Sequence, residues 1–295
     1  MNLLKKICQR FHPSMWALLL SAFVAPAAWA DPVVRDIKIP MSVPGLFGDS
    51  QVALVATEYK PDGDGPFPLM LINHGSPRSA ADRPKMKAAF VWQAQLFARR
   101  GFVVINALRR GYGGSDGPWA ENYFGCANPD YIGAGLQSAK DINAVLDYGR
   151  ALPYVDAKRI VLVGQSAGGF GVLALSSQKP PGVIGTISFA GGRGSRAPDD
   201  VCAEGKLVEA FGHYASTTQV PMLWYYSEND HFFGPALARR LADAYQSKGV
   251  DLHLEIVPPY GDDGHGFFQG RGNVPVWAPT MDSFLKKVGL AEHVQ

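Results

Sequence analysis

The chain has 295 residues, of which 47% are hydrophobic and 18% are charged, so it is long and apolar enough to form one large domain. Its formal net charge is +2, and three of its positive charges but none of its negative charges lie in the first 30 residues. The remainder therefore carries about −1, which excludes charge attraction to nucleic acid or to an anionic membrane as the basis of its function.

The first 30 residues have the three parts of a secretory signal peptide. Three basic residues precede an apolar run at 15–25, and Ala28-Trp29-Ala30 fits an A-x-A cleavage site. We therefore expect cleavage after Ala30, export to the periplasm or beyond, and a single mature domain at 31–295 with no stable membrane association. The alternative is an uncleaved membrane anchor, for which the apolar run is short.

The chain from residue 33 to the middle of the sequence predicts an alternation of strands and helices. The first predicted strand alternates apolar and polar residues as an exposed edge strand does, whereas the third is nearly all apolar and is therefore predicted to be central. In order, the predicted elements are strand 33–39, strand 51–59, a hairpin-like loop 60–66, strand 67–73, helix 84–100, strand 102–107 and helix 131–150.

The rest of the chain is organised around Gly164-Gln165-Ser166-Ala167-Gly168. The apolar run at 160–163 before it predicts a buried strand, and the apolar residues after it predict a buried helix. Strand, Gly-x-Ser-x-Gly and helix together predict a nucleophile elbow, a sharp turn that raises the Ser166 hydroxyl above the sheet edge. Gly164 and Gly168 are expected because a side chain at either position would clash.

Beyond the elbow the pattern predicts three more strands and three more helices. In order, these are strand 183–190, helix 206–214, strand 220–226, helix 235–248, strand 251–257 and helix 275–288.

From about Val52 to the C-terminus the chain resembles the α/β-hydrolase superfamily, and within it the dienelactone-hydrolase-like and related bacterial esterases. The resemblance implies an α/β fold with a mostly parallel central sheet of about eight strands, flanked by helices. The segment in which this superfamily inserts lids, 191–219, is here under 30 residues long. We therefore expect a short lid or none, and a fairly open pocket.

The superfamily keeps its catalytic acid in the loop after the strand predicted at 220–226 and its base in the loop after the last strand. Asp230 fits the first position, with Glu228 as the alternative, and His265 fits the second. Ser166, Asp230 and His265 then follow the Ser…Asp…His order of α/β hydrolases. All three are predicted at the carboxyl edge of the sheet, where ligands bind in open α/β folds.

The resemblance also implies two backbone donors for an oxyanion. One is the N–H of Ala167, directly after the nucleophile, and the other is the N–H of Ser76, which follows His74-Gly75. His74 precedes the nucleophile in the chain, so we expect it to shape this turn rather than to act as the base. Arg110 belongs to an R-G-x-G-x-S loop that is common in the superfamily, and we expect it to be structural.

Two cysteines, Cys126 and Cys202, remain after residue 30. An even number in an oxidising compartment suggests one disulfide. Both lie in loop-like segments at the predicted catalytic edge, where a bond between them would tie two loops together. The alternative is two separate thiols.

The sequence therefore predicts a secreted serine hydrolase that cleaves small carboxylic esters through an acyl-enzyme, without a metal or organic cofactor. Asp262, Asp263 and His265 lie close together, but no second set of metal ligands accompanies them. The alternatives are a peptidase of the prolyl-oligopeptidase type, which shares the fold and triad order, and a non-catalytic binding protein with this fold.

The substrate and the oligomeric state are left open by the sequence. The aromatic residues Trp119, Tyr123, Trp224 and Phe232 would suit an aryl or bulky ester, but packing in the core explains them equally well.

Overall fold

The computed structural model describes residues 31–45 and 48–293. The predicted signal peptide lies outside the described residues. Within them, eight strands form the central sheet: β1 (Val33–Val43), β2 (Ser50–Lys60), β3 (Phe67–Asn73), β4 (Val103–Ala107), β5 (Val155–Gln165), β6 (Val183–Phe189), β9 (Met222–Ser227) and β10 (Leu252–Val257). Two short strands, β7 (Ser195–Ala197) and β8 (Asp200–Val201), pair with each other outside it.

The strand order across the sheet is β1-β2-β4-β3-β5-β6-β9-β10. The pairs β1–β2 and β2–β4 are antiparallel and all the other pairs are parallel, which confirms the predicted mostly parallel α/β sheet. The loop at 60–66 is not a hairpin, because β4 lies between β2 and β3 and pairs with both.

Six α-helices cover the two faces of the sheet in the described part of the chain. Side chains alternate along β3, so Leu69 and Leu71 enter one core while Met70 and Ile72 enter the other. The first core is covered by α2 (Tyr131–Arg150), α3 (Ala167–Ser176), α4 (Glu204–Ala215) and α5 (Pro235–Gln246), and the second by α1 (Val91–Arg99) and α6 (Val274–Lys287). No helix among the described residues has the length and apolar composition to cross a bilayer.

The helix predicted at 84–100 is much shorter in the structure. A 3₁₀ turn spans Ala80–Lys85, and α1 begins only at Val91 because Phe90 has a left-handed backbone with φ of 58°. The Phe90 side chain is buried against Phe268, with ring centroids 5.1 Å apart. Packing of this ring therefore outweighs the local preference for helix, and the prediction for 84–90 is wrong.

The short segment between β6 and β9 does not form a separate cap. Its helix α4 buries Leu207, Phe211 and Tyr214 in the main core. The site is therefore bounded by loops, in agreement with the prediction of no large lid.

Candidate active site

Ser166 occupies the turn between β5 and α3, with φ of 55° and ψ of −122°. A positive φ is strained for a residue with a Cβ atom and is typical of residues held at functional sites. A Cβ on Gly164 would overlap the backbone of Gly168, and a Cβ on Gly168 would overlap the carbonyl groups of Asn73 and His74. The steric reason that the sequence suggested for these two glycines is therefore present, and Gly168 also allows the strand before His74 to approach.

The turn His74-Gly75-Ser76, directly after β3, lies against the elbow. A Cβ on Gly75 would come within 2.7 Å of Gln165 Oε1 and 3.1 Å of Ser166 Cβ. Ser76 and Ala167 line one cavity together with Ser166. Ala167 is also the first residue of α3, and the first N–H groups of a helix have no partner within it. The structure thus brings both predicted backbone donors beside the serine.

Asp230 and His265 form a buried hydrogen-bonded pair. Asp230 lies in the loop after β9, and His265 lies in a 3₁₀ turn, Gly264–Gln269, after β10. His265 Nδ1 is 3.2 Å from Asp230 Oδ1 and 3.1 Å from Oδ2. Asp230 Oδ1 also accepts hydrogen bonds from the N–H groups of the two phenylalanines that follow it, at 2.7 and 2.9 Å from Phe232 and Phe233. The alternative acid, Glu228, is exposed.

Two further side chains hold this pair in place, and the sequence analysis missed both. Asp263 Oδ1 accepts hydrogen bonds from the N–H groups of His265, at 3.0 Å, and His231, at 3.1 Å, so it ties the two loops together. Gln165 Nε2 donates to the carbonyl of His265 at 3.0 Å. An Asp side chain often accepts a hydrogen bond from the backbone N–H two residues further along the chain. This turn preference would have suggested the contact between Asp263 and His265.

Ser166 and His265 line the same cavity of about 270 Å³. Among the described residues, the hydrogen bonds of the imidazole run to Asp230, and none joins it to the Ser166 hydroxyl. Such a bond is often long in an enzyme without substrate and shortens when the substrate binds.

Phe232 covers one face of the His265 imidazole. The two ring centroids are 3.8 Å apart and the rings are 12° from parallel. The Arg78 guanidinium packs 3.5 Å from the centroid of the Phe232 ring and donates to Ser195 Oγ and to the carbonyl of His231. This stack limits rotation of the imidazole and narrows access to Ser166.

His74 and Arg110, which the sequence predicted to be structural, are buried and fully engaged. The Arg109 N–H donates to His74 Nε2 at 3.1 Å, so the ring proton is assigned to Nδ1, which donates to the carbonyl of Gly75. Burial, together with the charge of Arg109, lowers the pKa of His74 to about 3. Arg110 binds Asp141 through both its N–H and its Nε. His74 is therefore neutral and bonded at both ring nitrogens.

A buried ionic cluster lies behind the oxyanion turn, and no sequence motif pointed to it. Glu121 forms ion pairs with Arg109 and Arg193, and all three are at most 5% exposed. Burial alone would raise the pKa of Glu121, but the two arginines outweigh it and hold that pKa well below its usual range. Tyr112 Oη is 2.8 Å from Glu121 Oε2 and 2.9 Å from Ser76 Oγ, which links the cluster to the oxyanion turn.

Cys126 and Cys202 are joined by a disulfide in the structure, with a sequence separation of 76. Cys126 lies in the loop that also carries Trp119 and Tyr123, and both of these side chains line the cavity beside Ser166. The bond therefore connects a wall of this cavity to the start of α4.

The aromatic residues of the sequence analysis fall into two groups. Trp119, Tyr123 and Phe232 line the cavity beside Ser166, whereas Trp224 is fully buried in the core. Within the described part of the chain, no group of three or more His, Cys, Asp or Glu side chains is arranged to hold a metal ion.

The model of the dienelactone hydrolase family matches residues 92–286, which is more than half of the chain and includes Ser166, Asp230 and His265. Dipeptidyl-peptidase 5 of Porphyromonas gingivalis is 27% identical over 251 residues, covering 77% of this chain and 35% of that protein. The chain thus spans about a third of the length of the curated relatives it matches.

Solved structures show the same fold at low sequence identity. Acylaminoacyl peptidase of Pyrococcus horikoshii has a TM-score of 0.62 at 19% identity, over 88% of this chain and 42% of that one. Esterase 2 of Thermogutta terrifontis, solved in a form phosphorylated by paraoxon, has a TM-score of 0.59 at 20% identity, over 87% of this chain and 95% of that one.

Proposed function

Because this chain belongs to the dienelactone hydrolase family, we propose that it is a serine hydrolase that cleaves carboxylic esters, with a small-molecule ester as its substrate. The observation that carries the proposal is the strained Ser166 beside the buried Asp230–His265 pair, both on one cavity. Dienelactone, in the family's name, is a cyclic ester, which favours esters over amides as the class of bond.

In the proposed mechanism, His265 Nε2 takes the proton of the Ser166 hydroxyl as Oγ attacks the acyl carbon. Asp230 holds the Nδ1 proton and stabilises the imidazolium that forms. The backbone N–H groups of Ser76 and Ala167 bind the oxyanion. His265 then gives its proton to the departing alcohol, and water attacks the acyl-enzyme by the same route to release the acid.

Export to the periplasm or beyond remains part of the proposal. The disulfide between Cys126 and Cys202 supports an oxidising compartment, because such bonds are rare where thiols are kept reduced. The apolar run and cleavage site in residues 1–30 support the same location.

Amide cleavage is the second candidate function, and the relatives favour it. The protein named dipeptidyl-peptidase 5 is similar in sequence and the one named acylaminoacyl peptidase is similar in structure, but the chain spans less than half of either. The same serine, histidine and aspartate would serve a peptidase, which needs stronger protonation of the leaving nitrogen.

The first experiment compares the protein with Ser166→Ala on a series of p-nitrophenyl esters from acetate to decanoate. We expect activity in the parent and a loss on the order of 10⁴-fold or more in kcat in the variant, since the nucleophile is removed. Ser247→Ala, at the exposed end of α5, is the matched control and should keep full activity.

Paraoxon labelling followed by mass spectrometry of the intact protein gives an independent readout of the nucleophile. A diethylphosphoryl group should attach to the parent and not to Ser166→Ala. If the protein were labelled but hydrolysed no ester, the peptidase candidate would become the favoured one. Cleavage of peptide anilides would then test it. If the protein were neither labelled nor able to hydrolyse any ester, that result would favour a non-catalytic binding protein.

A further inference from the structure

Two cavities of different character meet at Ser166. The first, about 60 Å³, is lined by Arg78, Arg83 and Arg193 and by no acidic residue, and we call it the arginine cavity. The second, about 270 Å³, is lined by His265 and by apolar side chains such as Met86 and Phe90, and we call it the histidine cavity; Arg78 lines both cavities. An ester bound at Ser166 therefore has two different surroundings for its two halves.

The proposed chemistry decides which half lies on which side. The departing alcohol takes its proton from His265, so its oxygen must lie beside that ring. His265 lines only the histidine cavity, whereas the oxyanion donor Ala167 lines only the arginine cavity. The alcohol therefore occupies the histidine cavity, and the chain attached to the acyl carbon points into the arginine cavity.

The arginine cavity has a large excess of positive charge. Arg193 and Arg109 share the single carboxylate of Glu121. Among the described residues, Arg78 and Arg83 have no acidic partner: Arg78 is held by Ser195 and a carbonyl, and Arg83 packs 3.4 Å from the Trp119 ring centroid. Three guanidinium groups thus line the cavity, and the nearby carboxylate of Glu121 pairs with only one of them, Arg193.

Some of these donors are buried without a partner. Arg193 is only 5% exposed, and its Nε makes no hydrogen bond in the structure; the Nε of Arg83 is likewise buried and unbonded. A buried donor left without an acceptor loses its hydrogen bonds to water and gains none in return, which destabilises the folded state. Both residues line the arginine cavity, so a negatively charged acceptor placed there would relieve the cost.

We propose that the acyl group of the substrate carries a terminal carboxylate bound by Arg193 and Arg83, so that the substrates are half-esters of short dicarboxylic acids. The inference rests on the proposed function and specifies its substrate class. Water and the half-ester yield the dicarboxylic acid and an alcohol, with no further reactant. The arginine cavity favours short acids because its volume is only about 60 Å³. A single water already needs about 10–15 Å³ of cavity volume, so a long acyl chain would not fit.

The experiment measures release of benzyl alcohol from monobenzyl succinate and from benzyl 4-methylpentanoate. In the second compound an isopropyl group replaces the carboxylate, so the two differ in charge and hardly in shape. We expect kcat/KM for the half-ester to be higher by about tenfold or more, because charge-assisted hydrogen bonds discriminate at this level. Monobenzyl malonate, glutarate and adipate test the length of the acid.

The variants Arg83→Gln and Arg193→Gln test the residues. The ratio of the two kcat/KM values should fall about tenfold in each, and Arg83→Lys should restore part of it. Arg196→Gln is the matched control, because Arg196 lies in the same loop as Arg193 but is exposed and paired with Asp200. In Arg196→Gln the ratio of the two kcat/KM values should match that of the parent.

Equal or faster hydrolysis of the neutral ester would overturn this inference while leaving the proposed function intact. An unchanged ratio in both arginine variants would also overturn it. If the protein hydrolysed neither benzyl ester and no p-nitrophenyl ester, the result would instead contradict the proposed function, and this inference with it.

Discussion

Glu121 is the residue that keeps the arginines beside the site in place. Its carboxylate is buried, pairs with Arg109 and Arg193, and accepts a hydrogen bond from Tyr112, which contacts Ser76. Arg109 also donates to the carbonyl of His74. The oxyanion turn and the arginine cavity therefore share one buried support.

Replacing this carboxylate should be costly. Glu121→Gln leaves two buried guanidinium groups without a counter-charge, so we expect the free energy of unfolding to fall by about 3–5 kcal/mol. Urea denaturation measures it. Glu204→Gln, which breaks an exposed pair with Arg240, should cost less than about 1 kcal/mol. A loss for Glu121→Gln no larger than that of this control would contradict the role of the cluster.

His74 predicts a dependence of stability on pH. Its pKa is lowered from 6.5 to about 3 by burial, so the unfolded chain binds a proton below pH 6.5 that the folded protein does not accept until about pH 3. Stability should therefore fall as the pH drops through this window, by at most about 1.4 kcal/mol per pH unit from this group. Urea denaturation at several pH values measures the slope.

The variant His74→Asn should reduce that slope, whatever its stability at pH 7, because the titrating group is gone. The opposite sign is expected for His231, whose pKa is raised by its hydrogen bond to Asp199. Its contribution is fully present below pH 6.5 and is lost as the pH rises through the raised pKa. His231→Asn should therefore lower stability at acid pH relative to alkaline pH without changing the slope below pH 6.5. An identical slope in the parent and His74→Asn would show that His74 titrates normally.

At the scale of elements, loops that follow neighbouring parallel strands build the site. Ser76, Ser166, Asp230 and His265 follow β3, β5, β9 and β10, and Arg193 follows β6. These five strands are consecutive in the sheet. Their carboxyl ends therefore meet at one edge, which gathers residues that are far apart in the chain.

The disulfide joins the loop after β4 to the segment after β6 and should contribute to stability. It closes a loop with a sequence separation of 76 residues, for which the chain-entropy relation gives about 4.5 kcal/mol. We expect the double variant Cys126→Ala, Cys202→Ala to unfold at a lower urea concentration, with a free energy of unfolding that is lower by that amount. The reduced parent should behave like the variant, and an unchanged midpoint in both would contradict the contribution.

At the scale of the whole molecule, the proposed binding mode divides the substrate between a charged and a largely apolar cavity. The loops after β4 and β6 and the segment with Arg78 and Arg83 supply the arginine cavity, while Met86 and Phe90, nearer to α1, and the loop after β10 supply the histidine cavity. A family fold shared by esterases and peptidases thus leaves specificity to loops at one edge.

The sequence by itself determined the fold class, the strands, the elbow at Ser166 and the candidates Asp230 and His265. These depend on local signals: apolar runs, glycine spacing and chain order. Its one large error, the helix at 84–100, arose where the buried ring of Phe90 outweighs local preference. Nothing in that stretch of sequence indicates the ring's partner, Phe268.

Only the tertiary structure placed Asp230, and not Glu228, against His265, brought Phe232 onto His265, and assembled the arginine cavity. Glu121 and Arg193 are 72 residues apart and carry no motif. Their pairing exists because the loops after β4 and β6 approach at the sheet edge, and burial then makes each charge depend on the other. The proposed class of reaction rests on short-range patterns, whereas the proposed charge of the substrate rests on contacts that no local pattern encodes.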